Sequence, residues 1–307
     1  MRVAIIGGTG FVGGYLTDAL LAAGHSVSLL LRRGSESKLR HPGQVHAVSG
    51  DIADSEAIRR LLGGCDAVIY NVGILRELPR QGVSFESTQY AGLVHTVDAA
   101  LAVGVRRLLL MSANGVGVPG TRYQETKRRA EEYAQQSGLD VTVLRPSVIF
   151  GDPRGTMEFA TQLFHEMVRP PLPAVNFLPG RDSKNAAIVM SPVHVEDVAS
   201  AFLAVLENSA CAGKTYELGG PEVLSWKEII ARIAAATGRR KWFLPMPIAM
   251  MRFAASLLDW LPFFPVTREQ LIMLQQGNVA SPVVLRELTG REPMPFSAKN
   301  LEYLGAR

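Results

Sequence analysis

The stretch VAIIGGTGFVGGYL, residues 3–16, admits few backbone solutions. An apolar run that breaks at Gly-Gly-Thr-Gly and resumes at helical spacing reads as strand, tight turn and helix. Gly8, Gly10 and Gly13 satisfy G-x-G-x-x-G, and Gly7, Gly10 and Gly13 satisfy G-x-x-G-x-x-G. A glycine turn between strand and helix gives that motif its physical meaning. The first glycines permit the turn, Gly10 lets backbone approach a pyrophosphate, and Gly13 lets the helix pack close on the strand. The N–H groups that open the helix then face an anion. Gly7, Gly8, Thr9, Gly10, Phe11, Val12 and Gly13 are expected to hold the phosphates of a dinucleotide.

The same alternation continues. Apolar runs at 2–7, 26–31, 44–50, 66–73, 106–112 and 140–146 are separated by helix-like segments at 11–24, 54–63, 88–103 and 122–137. This pattern predicts an α/β fold: a doubly wound parallel sheet covered on both faces. Residues 1–150 form the dinucleotide domain, and 190–220, with the strand-like KTYELGG, return to it. Residues 151–189 and 221–307 form a smaller, mostly helical substrate or partner domain, expected over the carboxyl ends of the strands. Within it, 169–185 reads as a proline-rich loop and 193–208 as a helix.

With 307 residues, 47% hydrophobic and 20% charged, the chain has ample material for a core. A net charge of +4 without dense basic stripes excludes a nucleic-acid binder. Cys65 and Cys211 stand alone, so no metal site is expected and a reducing, cytoplasmic setting fits. The first apolar run is too short and glycine-broken for a signal peptide.

Cofactor choice is read at the end of the second strand, LLLRRGSESK. An NAD site places a carboxylate there for the ribose 2′-hydroxyl; this chain has Arg32 and Arg33. Guanidinium groups suit a 2′-phosphate, which predicts NADP(H) over NAD(H). After the third strand, Asp51 meets the adenine amino group with Ile52 along the ring, or else Asp51 caps the helix near Ser55. After the fourth come Asn71, Val72 and Gly73, where Gly73 allows close approach to the nicotinamide-side ribose.

Tyr123 and Lys127 stand at i and i+4 and share a helical face. An ammonium near a phenol lowers its pKa and lets it exchange protons near neutrality. Ser112 ends the preceding strand. Ser112, Tyr123 and Lys127 thus form a reductase constellation in which Ser orients a carbonyl, Tyr transfers the proton and Lys tunes Tyr and holds the ribose. Either Ser112 or Asn114 faces the nicotinamide.

Through GGTGFVG, GDI, YQETK, LRPSVIFGDPRG, PVHVEDVA and YELGGPEVLSW, the chain resembles the short-chain dehydrogenase/reductase superfamily in its extended, NAD-dependent epimerase/dehydratase-like form. PVHVEDVASAFLAVL, TYELGGPEVLSWKEII and the carboxyl-terminal LPMPIAMMRFAASLLDWLPFFPVTREQLIMLQQGNVAS are similar to the branch of the NAD(P)H-binding accessory subunit of respiratory complex I. The resemblance implies a Rossmann domain with bound NADPH, and adds Pro146 and Val148 to the cofactor residues. It does not imply turnover. It leaves a reductase of a hydrophobic carbonyl or quinone-related molecule beside a cofactor-stabilised scaffold, assembly factor or redox sensor. A sugar-nucleotide epimerase is a third reading.

WFLPMPIAMMRFAASLLDWLPFFP, residues 242–265, is strongly apolar and follows Arg239, Arg240 and Lys241. A helix over 248–261 would be roughly 21 Å long, too short to cross a bilayer. Three readings stand: a core or pocket-lining helix, a peripheral membrane or membrane-complex contact through 239–265, or an apolar surface for a lipid-like quinone.

Overall fold

The valine-, isoleucine- and leucine-rich runs of the inner strands are buried on both faces, as a parallel sheet demands, while the edge strand at 45–49 is largely exposed. In the computed structural model, which describes residues 1–118, 120–178, 188–251 and 267–305, the leading strands are β1 (Arg2–Ile6), β2 (Ser26–Leu31), β3 (Val45–Ser49), β4 (Ala67–Tyr70), β5 (Arg107–Met111) and β6 (Asp140–Pro146). Val3, Ala4, Ile5 and Ile6 are fully buried. Further along the chain come β7 (Ile149–Phe150), β8 (Ala174–Leu178), β9 (Val189–Met190), β10 (Val193–His194) and β11 (Thr215–Leu218). The main sheet has seven strands in the order β11-β6-β5-β4-β1-β2-β3. Neighbours from β6 to β3 pair in parallel. The Val143 N–H donates to the Lys214 carbonyl and the Ser147 N–H to that of Leu218, so β11 runs the same way. Strand order reverses at β1, which has β4 on one side and β2 on the other; such a switch point leaves a crevice at the carboxyl ends.

Four helices cross between these strands: α1 (Phe11–Ala22), α2 (Ser55–Leu62), α3 (Gly92–Val103) and α4 (Arg122–Gln136). Asp54, not Asp51, caps α2, its side chain accepting from the Ala57 N–H. Asp51 instead closes a local turn on the Ala53 N–H. The helix expected from residue 88 is α-helical only from Gly92, after a π-helical turn over Glu86–Ala91. Tyr70 supplies the cause. Its hydroxyl donates to the Thr88 carbonyl at 2.5 Å, the group an α-helical Gly92 N–H would use, and Gly92 donates to Ser87 instead. A Cβ at residue 92 would sit 2.4 Å from that hydroxyl, so only glycine fits.

The chain divides into two compact units. The first comprises 1–117, 122–145 and 198–217; its core joins β1, β4, β5 and β6 to α2 and α3 through residues such as Ile58, Leu61, Tyr70, Leu93 and Leu108. The second comprises 118–121, 146–197 and 218–307, with a core that includes Phe150, Trp226, Ile229, Ile233, Leu271 and Phe296.

The short α5 (Phe159–Leu163) and the longer α6 (Val195–Glu207) are followed by α7 (Trp226–Ala236), α8 (Arg268–Gln276) and α9 (Val283–Thr289). Asp197, near the start of α6, does not serve as its cap: it accepts from Arg291 and from the Met294 N–H. Between Leu224–Ser225 (β12) and α8 lies β13 (Phe243–Pro247), which pairs in parallel with β8. Part of the proline-rich stretch expected to be loop is therefore a strand. Pro245 and Pro247 are tolerated because this is a two-stranded ribbon, in which one side of each strand needs no ladder partner. Residues 248–251 are helical; the rest of the expected apolar helix lies outside the described residues.

Candidate functional site

The glycine turn is built by close approach. Gly7 has φ +93°, and a Cβ there would lie 2.5 Å from the Asn71 carbonyl oxygen. At Gly13 a Cβ would lie 2.2 Å from the Gly7 carbonyl oxygen and 2.7 Å from the Gly8 Cα. At Gly10 the nearest atom would be the Gly7 oxygen at 3.4 Å, so that backbone is open on its outer side. Gly10 is the N-cap of α1; no side chain caps the helix and its first turn holds no acid. Unfilled N–H groups and the positive end of the helix dipole are thus left for an anion. Thr9, Phe11 and Val12 are partly exposed beside it.

The other expected cofactor residues follow the carboxyl ends of successive strands. Arg32 and Arg33 come directly after β2, both exposed and without an ion pair among the described residues. Asp51, exposed, and Ile52, half-buried, follow β3, and Asn71, Val72 and Gly73 follow β4. The Asn71 N–H donates to the Ile6 carbonyl at 2.9 Å, joining the ends of β4 and β1. Ser112 follows β5. From β5 to β3 there are four inter-strand gaps of about 4.8 Å, roughly 19 Å, the scale of an extended dinucleotide. Pro146 and Val148 belong to the second unit, where the Val148 carbonyl accepts from Val193.

Ser112 is 4% exposed, and its Oγ is buried with no hydrogen-bond partner. Asn114 Nδ2 is in the same condition. Buried polar atoms are rarely left unmatched, so both fit a role toward a ligand, and neither is favoured over the other. Together with the open backbone at Gly10, they satisfy the requirements of a bound nicotinamide nucleotide.

Lys127 is buried in α4, and its Nζ donates to the Met111 carbonyl at 3.0 Å and to the Val72 carbonyl at 3.3 Å. A Cβ on Gly73 would lie 3.5 Å from that nitrogen. Burial pulls the ammonium down to about 8, opposed by the carboxylate of Glu131. Tyr123, one turn earlier, packs edge-on against Phe85 with ring centres 5.7 Å apart. Its phenol is pushed up to about 12 by burial. The expected lowering by Lys127 is not found: desolvation dominates, and the ammonium is engaged by main-chain carbonyls.

Several supporting residues escaped the sequence reading. Glu131 is 3% exposed and continues the Tyr123–Lys127 stripe by one more turn; it accepts from Arg145 Nε at 3.0 Å and Nη2 at 2.5 Å. The i, i+4, i+8 spacing was its signal. Glu77 joins Arg122 at 2.9 Å to the Phe85 N–H at 2.9 Å, fixing the loop beside Tyr123. Gln89 donates to the Ile74 carbonyl while its Oε1 is buried and unpartnered; nothing in its sequence context marked it.

A family model described as NAD(P)H-binding matches residues 7–168, more than half of the chain. The chain belongs to the NAD(P)H-binding family. Within it, the chain is similar to the Arabidopsis thaliana mitochondrial NADH dehydrogenase [ubiquinone] 1 alpha subcomplex subunit 9, 30% identical over 297 residues, covering 89% of this chain and 68% of that protein. It is also similar to a ceramide reductase of Caulobacter vibrioides, 26% identical over 84% of this chain and 77% of that one. Among solved structures, UDP-glucose 4-epimerase of Thermus thermophilus in complex with NAD superposes with a TM-score of 0.72 at 20% identity, covering 100% of this chain and 98% of the other; it shares the fold. This NAD(P)H-binding protein thus shares the Rossmann fold of that neighbour, and its complex I-like resemblance is matched by a named relative. Among the described residues no helix is long and apolar enough to cross a membrane.

Proposed function

We propose that this NAD(P)H-binding protein is an NADP(H)-dependent oxidoreductase acting on a hydrophobic carbonyl or quinone-related substrate. The unmatched, buried Ser112 Oγ is the observation that carries the reading: a hydroxyl left without a partner after the strand whose last carbonyl holds Lys127 is poised for a substrate oxygen. Gly7 to Gly13 would hold the pyrophosphate, Arg32 and Arg33 the 2′-phosphate, Asp51 and Ile52 the adenine, and Asn71, Val72, Gly73 and Lys127 the nicotinamide-side ribose, with Pro146 and Val148 assigned by family likeness. Bound NADPH supplies hydride. Tyr123, a neutral phenol at pH 7, donates the proton to the substrate oxygen that Ser112 or Asn114 orients. Lys127 carries a positive charge at neutral pH, held on the Val72 and Met111 carbonyls where the nicotinamide-side ribose would lie. A hydrophobic substrate is supported by the relative named ceramide reductase.

One observation favours a second reading. Lys127 is spent on two main-chain carbonyls, as a clamp would be, and a relative is named as a complex I subunit. A scaffold, assembly factor or redox sensor stabilised by its nucleotide fits this. With either role we propose a cytoplasmic setting and peripheral contact to a membrane or membrane complex through 239–265.

The NADPH dissociation rate, followed by fluorescence with NADH and then NADP⁺ as competitors, tests the proposal. Exchange within seconds with NADPH preferred supports the reductase and directs a carbonyl and quinone screen. Retention for hours supports the scaffold. Binding of neither nucleotide overturns both.

A further inference from the structure

A cleft of 490 Å³ in the second unit lies between two stretches, Val168–Pro173 and Arg239–Trp242. Four of its side chains are cationic: Arg169, Arg239, Arg240 and Lys241. None is acidic. The nearest carboxylate in sequence, Glu166, accepts from Gln162 at 3.0 Å. The Lys241 ammonium donates to the carbonyls of Pro170 and Leu172, the latter at 2.7 Å, and so ties the two stretches together. Ala174 donates to the Trp242 carbonyl at 2.8 Å, which continues the β8–β13 ladder up to the cleft. Arg239 lies over the Phe164 ring at 5.9 Å. Arg169, Arg239 and Arg240 are exposed and have no carboxylate partner among the described residues. Burial, and then the neighbouring positive charge of Arg239, lower the Lys241 ammonium.

Two of its lining residues are apolar and exposed: Trp242 is 84% exposed and Leu172 69%. A soluble phosphate ligand calls for the charges and gives no use for these two side chains. A bilayer surface uses both: phosphate groups meet guanidinium groups, while tryptophan and leucine enter the boundary between headgroups and acyl chains.

We propose that this face docks on an anionic lipid bilayer, with the cleft receiving a lipid phosphate and Trp242 and Leu172 inserting beside it. The proposal rests on, and gives a named surface to, the membrane-contact reading above; it is independent of nucleotide turnover.

The full chain should be mixed with vesicles of phosphatidylcholine alone and with vesicles of equimolar phosphatidylcholine and phosphatidylglycerol, then sedimented. Binding to the mixed vesicles only, weakened by salt, is expected. Arg239→Ala with Arg240→Ala should weaken it roughly 30-fold, from about fivefold per charge at the surface. Trp242→Ala should also weaken it. Unchanged melting temperature and NADPH binding in these variants exclude misfolding, and they keep this test separate from the nucleotide reading. Equal binding to both vesicles, no binding at all, or wild-type binding by the double-arginine variant overturns the proposal. So does release from the vesicles by inorganic phosphate where chloride at the same ionic strength leaves binding intact, which would make the ligand a soluble phosphate, or a preference for polyglutamate over vesicles, which would make the partner an acidic protein.

Discussion

Lys127 Nζ donates to the carbonyl of Met111 across 3.0 Å, one residue before the unmatched hydroxyl of Ser112. This contact holds an ammonium inside the protein and gives stability a pH dependence. The unfolded chain keeps this lysine protonated up to its ordinary 10.5, the folded chain only to about 8. Between those values the unfolded state binds more protons, so stability rises with pH, by as much as ~3 kcal/mol. Tyr123 works in the opposite direction, but only between 10 and about 12. Urea unfolding of the nucleotide-free protein from pH 8 to about 10 should show the rise, and Lys127→Met should lack it.

Glu131 sets where that rise begins. Its carboxylate favours the Lys127 ammonium and is paired with Arg145. Glu131→Gln should lower the lysine further, so the rise begins below pH 8, and should cost up to about 3 kcal/mol near neutrality by leaving Arg145 only its longer 3.7 Å contact with Glu217. Chemical denaturation across pH reads both effects.

Tyr123→Phe removes a hydroxyl and keeps the edge-on ring contact with Phe85. Stability and NADPH affinity should change little, while turnover of an active carbonyl or quinone substrate should fall by roughly 10² or more. Equal turnover by the variant, measured as NADPH oxidation, would remove Tyr123 from proton transfer.

Gly10 and Gly13 separate binding from folding. Gly10 has φ −81° and ψ 176°, which any residue adopts, and its Cβ would meet only the Gly7 oxygen at 3.4 Å. Gly10→Ala should fold normally and lose nucleotide binding. Gly13→Ala places a methyl 2.2 Å from backbone and should destabilise the fold by about 3 kcal/mol or more. Thermal melting with and without NADPH distinguishes them.

Much of this arrangement was legible in the sequence. The seven strands and the four helices between them were written in apolar runs and helical periodicity, because a sheet buried on both faces leaves its strands little polar content. The turn at 7–13 was legible because its glycines are demanded by backbone contact. What local pattern does not encode came from tertiary partners. Tyr70 opened the ladder before Gly92. Asp54 rather than Asp51 met the first turn of α2. Burial overrode the expected effect of Lys127 on Tyr123. Pro170, Pro171 and Pro173 hid β8, since a proline-rich stretch reads as loop wherever its ladder partner is unknown.

Arg32 and Arg33 test cofactor choice. With both replaced by Ala, NADPH affinity should fall at least about tenfold, for the lost guanidinium–phosphate contacts, while NADH affinity stays within about twofold. Parallel titrations of the two nucleotides check this. A matched loss for both would mean the pair does not read the 2′-position.

The seventh strand carries a consequence for biosynthesis. β11 is contributed by residues 215–218, after the chain has left the first unit at 145 and returned at 198. A nascent chain that has emerged only through β6 therefore presents the ribosome with an incomplete sheet whose outermost strand has its hydrogen-bonding edge bare. Closing that edge must wait for some seventy further residues, so a fragment cut near 150 should be prone to edge-to-edge association however well its own glycine turn is formed.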